Sequence, residues 1–73
     1  MNVTIHVYLL DEGVDVWRPV LAERVRDDIY RITGAPPDDT EKWEFMRGDA
    51  VRCRQQNFNR GEMGLVAYEK IAA

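Results

Sequence analysis

The sequence predicts a small β-rich fold built as one domain, and three observations carry that prediction. Residues Asn2 to Leu10 alternate Val3, Ile5, Val7 and Leu9 with Asn2, Thr4, His6 and Tyr8, the two-residue period of a strand buried on one face. Two later stretches repeat the pattern: Ala50 to Phe58 sets Val51 and Cys53 against Arg52 and Arg54, and Met63 to Ile71 sets Leu65 and Ala67 against Val66 and Tyr68. Finally, 73 residues suffice for one domain only. A chain this short hides about 60% of its unfolded surface, so nearly every large apolar side chain is needed for the core.

Composition narrows the class further. A hydrophobic fraction of 45% with 32% charged residues is that of a folded soluble domain and not of a disordered tail. Cys53 is the only cysteine, so one copy of the chain can form neither an internal disulfide nor a multi-cysteine zinc site. The longest early apolar run, Val7 to Leu10, is far too short to cross a bilayer, and no basic n-region or cleavage site precedes it. A cytoplasmic protein without membrane contact is the expectation. The formal net charge of −3 works against sequence-independent nucleic-acid binding, which grows with the number of phosphates neutralised.

Taken in order, Asn2 to Leu10 is the first strand, and Asp11-Glu12-Gly13 supplies a turn in which Gly13 is free to take a positive φ. Val14 to Thr33 admits two readings. As a helix it would start at Pro19, place Leu21, Val25, Ile29 and Ile32 on one face, and end at Gly34 before Pro36. As a hairpin it would run from Asp15 to Glu23, turn through Arg24-Val25-Arg26-Asp27, and return from Asp28 to Thr33. Pro19 would then need an edge or a bulge, because it cannot donate to a ladder. Periodicity by itself leans to the helix, giving an α+β alternative with a helix at about 19–33 on an antiparallel sheet.

Gly34 to Thr40 reads as a loop from its glycine, prolines and acids, and is the segment expected to be least ordered. Glu41 to Met46 follows as a short extended piece, with Arg47-Gly48-Asp49 as a turn into the Ala50 strand. Asn59-Arg60-Gly61 is the hairpin loop before the final strand, Met63 to Ile71.

Gly13-Val14-Asp15-Val16-Trp17-Arg18-Pro19-Val20, Tyr30-Arg31-Ile32, Trp43-Glu44-Phe45, Gly48-Asp49-Ala50-Val51-Arg52-Cys53 and Gly64-Leu65-Val66-Ala67 together resemble a family of small bacterial proteins with SH3-like β-barrels. The resemblance covers most of the chain from Gly13 to Ile71. Its most specific parts are Val-Trp-Arg-Pro-Val and Trp-Glu-Phe followed by Gly-Asp. It implies a fold and no activity. On that fold Val14 to Thr33 is a hairpin, and residues 1–73 form one all-β domain, a five-stranded, partly open SH3-like barrel. The chain departs from the family pattern at Met46-Arg47, where proline is expected before Gly48.

Candidate sites follow from side-chain chemistry. Trp17, Tyr30, Trp43, Phe45 and Tyr68 could gather into a cage for a cation such as a methylated residue, although in so small a domain rings are first of all core volume. Arg47, Arg52, Arg54 and Arg60, with Phe58 close by, could form a phosphate- or carboxylate-binding face. The competing account pairs them with Glu44, Glu62 or Glu69 across the sheet.

His6 is the only histidine and has no second ligand to make a metal site, Cys53 reads as a small buried residue, and Asp38-Asp39 with Glu41 lacks the apolar surroundings that tune a catalytic carboxylate. No enzyme and no cofactor is expected. The leading expectation is a protein-interaction or self-association module with Leu10, Leu21, Met46 or Met63 as apolar anchors. An RNA or single-stranded DNA adaptor using the arginines, with Phe58, Trp17 or Trp43 as stacking rings, is the alternative. Small-ligand or methylated-residue binding by an aromatic cage comes third.

Overall fold

The structure is a computed structural model that describes residues 2–34, 41–58 and 61–71. Five strands follow one another in chain order: β1 (Asn2–Tyr8), β2 (Trp17–Arg26), β3 (Ile29–Ile32), β4 (Ala50–Asn57) and β5 (Met63–Lys70). Each neighbouring pair is antiparallel, and β5 returns beside β1 as a parallel neighbour at His6 and Val66, so the sheet closes on itself as a barrel. Closure is what the alternating pattern needs, because each strand then has one face towards a shared interior and few bare edges remain. The closing seam is thin: one residue pair joins β1 to β5, whereas β1 pairs with β2 along its whole length.

The interior is filled as the alternation requires. Ile5, Val7 and Leu9 from the N-terminal run, Val20 and Ala22 from β2, Ile32 from β3, Val51 and Cys53 from β4, and Ala67 from β5 form one buried cluster. Trp43 and Phe45 join it from the segment before β4, where Leu9 and Trp43 pair as an isolated antiparallel bridge. Val3, Val16, Tyr30 and Leu65 pack against it from the rim.

The helix suggested by 3.6-residue spacing at 19–33 is absent, and the chain there is the β2–β3 hairpin. Burial shows why. Of the four residues that would have shared a helical face, Ile29 and Ile32 are buried at 6% and 1% exposure, whereas Leu21 and Val25 stand out at 53% and 47%. The stripe is an accident of a strand whose buried positions are Val20 and Ala22.

The hairpin turns later than predicted. Arg26 pairs with Ile29, which leaves Asp27-Asp28 as the connection, with Asp27 at a φ of 44°. Pro19 pairs with His6 of β1 on one side, while β3 begins to pair with β2 only at Ala22. Its missing N–H therefore interrupts no ladder on that second side.

A second difference lies in β5. Val66 and Ala67 are both buried and Tyr68 is exposed, which breaks the simple alternation. Separately, Arg52 pairs with Glu69 but Cys53 with Ala67, so Tyr68 is an extra residue, a bulge in β5.

Turn chemistry agrees with the residues present. Gly13 and Gly48 take φ values of 78° and 92°, which side chains with a Cβ resist. Around Arg47-Gly48 the turn is closed reciprocally: Asp49 N–H donates to the Met46 carbonyl at 3.0 Å, and Met46 N–H donates to Asp49 Oδ2 at 2.9 Å. No helix among the described residues is long and apolar enough to cross a membrane.

Candidate functional site

The proposed aromatic cage does not assemble, because its members go to different places. Trp43 and Phe45 are core residues, Tyr30 is half-buried at the rim, and Tyr68 lies outside with Arg54. Trp43 is fixed by its polar end as well. Its indole N–H donates to Glu41 Oε1 at 3.0 Å, and the same carboxylate receives Arg18 through Nε at 3.1 Å and through Nη2. This removes the orphan donor that a buried tryptophan would otherwise carry.

The arginines are largely engaged. Arg52 lies between two carboxylates, its Nη1 3.3 Å from Glu69 and its Nε 3.7 Å from Asp28. At that distance Nε has no hydrogen-bond partner, and it is the buried side-chain polar atom left unsatisfied among the described residues. Arg54 places its guanidinium 5.1 Å from the centre of the Tyr68 ring, a cation–π contact. Arg47 is exposed in the turn before β4, and Arg60 lies outside the described residues, as do Asp38 and Asp39. Phe58, expected to neighbour Arg52 and Arg54, packs its ring 4.9 Å from His6 instead. Of the predicted arginine face, Arg52 and Arg54 are thus engaged by neighbouring side chains.

What the fold does build is a cleft of about 510 Å³ on the outside of the barrel, open to solvent. Register explains its members. Trp17 and Pro19 stand on β2 opposite Tyr8 and His6 of β1. Gln56 and Asn57 come from the end of β4, and Phe58 and Glu62 from the hairpin that leads into β5. Phe58 N–H donates to the Glu62 carbonyl at 2.7 Å, which holds this hairpin end together. Asp15 completes the rim next to Trp17.

Three contacts fix the walls. The His6 Nδ1 lies 3.1 Å from the Leu65 carbonyl, which can only accept, so Nδ1 carries the hydrogen and the neutral ring keeps Nε2 as an acceptor. Trp17 meets Tyr8 edge-on at 5.3 Å between ring centres. The Tyr8 hydroxyl donates to Asp15 Oδ1 at 2.9 Å, and this hydrogen bond together with the Asp15 charge raises the phenol above its ordinary value of 10.0. Gly64 makes room underneath: a Cβ there would come within 2.8 Å of Phe58 and 2.9 Å of His6.

The chain matches no known protein-family model, no curated protein and no solved structure. The five-stranded barrel is compatible with the SH3-like fold that the resemblance implied, but it is closed where a partly open barrel was expected, and its site must be read from its own geometry.

Of the residues named from sequence, Trp17 and Phe58 are brought together in the cleft; Arg52 and Arg54 lie elsewhere, and Trp43 is inside. Sequence reasoning missed His6, Pro19, Asp15, Gln56, Asn57 and Glu62 as companions. The one available signal was parity, since His6 and Tyr8 share the outward face of the first strand. Among the described residues no three His, Cys, Asp or Glu side chains gather where a metal could sit. The cleft offers rings, amides and carboxylates, which suits recognition.

Proposed function

We propose that this chain is a non-enzymatic, cytoplasmic interaction module that takes a short segment of a partner protein into the cleft between Trp17 and Phe58. The observation that supports this reading is the cleft itself: Trp17 from β2, His6 from β1 and Phe58 from the hairpin before β5 line one opening, together with polar side chains. Binding sites of this kind combine apolar walls with a few placed polar groups.

The exposed apolar residues support it less. Leu10 and Val14 lie in the β1–β2 connection, Leu21 and Val25 on β2, Met46 before β4 and Met63 at the start of β5, an arrangement in which single exposed side chains are ordinary. Engagement of Arg52 and Arg54 by Asp28, Glu69 and Tyr68 favours a protein partner over a nucleic acid.

Panning a phage-displayed random peptide library against the intact chain tests the reading. Enriched peptides should perturb the amide signals of His6, Trp17, Gln56 and Phe58, and Trp17→Ala, with its signal dispersion retained, should weaken them at least about tenfold, as expected for a tryptophan anchor. Peptides that bind equally well to Trp17→Ala, or a library that yields none, would remove the cleft as the binding site.

A further inference from the structure

Taking the cleft as a peptide site, we infer that the side chain it accepts from its partner is a cation, lysine or arginine. Among the described residues the lining supplies two carboxylates, Asp15 and Glu62, and no lysine or arginine beside them. Asp15 uses Oδ1 to accept the Tyr8 hydroxyl, and among the described residues neither its Oδ2 nor the Glu62 carboxylate has a hydrogen bond or ion pair. In its neutral form His6 adds Nε2 as an acceptor, because Nδ1–H is then the group that donates to the Leu65 carbonyl. Gln56, Asn57 and the Trp17 indole can donate as well, but the charged groups among the described lining residues are both anionic, so the guest that complements their charge is a cation.

The rings point the same way. Tryptophan has the face that attracts a cation most strongly, and Trp17 is held in place edge-on by Tyr8. This chain already uses that chemistry on its own surface, where Arg54 lies over Tyr68.

Other guests fit worse. A phosphate or carboxylate would face Asp15 and Glu62 directly. A purely apolar or proline-only segment could cover the rings, but it would take both carboxylates out of water without giving them a partner, which is unfavourable. A cation on a flexible stem satisfies both parts, its methylenes against the rings and its head against the acids.

The test uses small probes on the intact chain, followed by amide and indole NMR signals: N-acetyl-arginine methylamide, its uncharged isostere N-acetyl-citrulline methylamide, N-acetyl-lysine methylamide and N-acetyl-proline methylamide. The arginine or lysine probe should move the Trp17 indole, His6, Gln56 and Phe58 signals, with citrulline and proline at least tenfold weaker. The Asp15→Asn, Glu62→Gln double variant should abolish that preference while keeping its signal dispersion. Citrulline or proline moving the cleft signals as strongly as arginine would overturn the cation assignment and leave the cleft standing as a peptide site. Arginine shifts that map only outside the cleft, or no shift with any probe, would also overturn it, and the library experiment then decides separately whether the cleft binds peptides.

Discussion

Cys53 shows how much one side chain reports about its surroundings. The sequence places it on the inward parity with Val51, and the structure buries it at 3% exposure inside the barrel. Burial, with a smaller contribution from the Asp28 charge, pushes its thiol from an ordinary 9.0 up to about 12. Between those two values the folded chain keeps the proton that the unfolded chain has lost, so stability is unaffected below about pH 9 and declines as pH rises above it. The decline from this one group is at most about 1.4 kcal/mol per pH unit. Cys53→Ala should therefore lose stability less steeply than the parent between these pH values in urea titrations. Equal slopes would show that the thiol is not the group responsible. At the same scale, Trp43 and Glu41 illustrate what sequence leaves out: a tryptophan beside acids reads equally well as a surface ring, and only the Nε1–Glu41 hydrogen bond and the Leu9 bridge make it a core residue.

Among the elements, the β2–β3 hairpin is the one that local pattern misassigns. Leu21, Val25, Ile29 and Ile32 are spaced for a helix, but strand partners on both sides decide otherwise: Ala22 pairs with Val3 of β1 and with Ile32 of β3. The tertiary pairing outweighs the propensity, as short segments with mixed signals often allow. The two-residue connection concentrates its conformational demand on Asp27, whose φ of 44° is left-handed. Aspartate tolerates that region better than β-branched residues, which suffer a cost of roughly 1–2 kcal/mol there. Asp27→Val is expected to destabilise the domain by about that amount, and Asp27→Gly by much less. Urea midpoints measure both, and a Val variant as stable as the parent would refute the turn as drawn.

For the whole molecule, the decisive quantity is how little interior it has. A domain of this length has a total stability of roughly 4–11 kcal/mol, taking the usual range per residue. Removing a fully buried Ile side chain costs about 2–5 kcal/mol. Ile5→Ala, at the centre of the cluster, should therefore leave much of the population unfolded, whereas Leu21→Ala on the outside should change stability by no more than about 0.5 kcal/mol. Thermal melts of the two variants separate this barrel from the rejected helix, in which Leu21 would be as buried as Ile29.

The sequence by itself determined that β1, β4 and β5 are strands and which of their residues face inward at Ile5, Val7, Val51 and Cys53, because a two-residue period is written locally and needs no partner to be read. Local periodicity left Val14 to Thr33 open between helix and the hairpin that the resemblance implied, and the strand pairing settles it as β2–β3; that Tyr68 is an extra residue in β5 and that Trp17, Pro19, His6 and Phe58 border one cleft is visible in the tertiary structure alone. These depend on register and on closure at His6 and Val66, where residues far apart in the chain meet, and no local period records which of them will be neighbours.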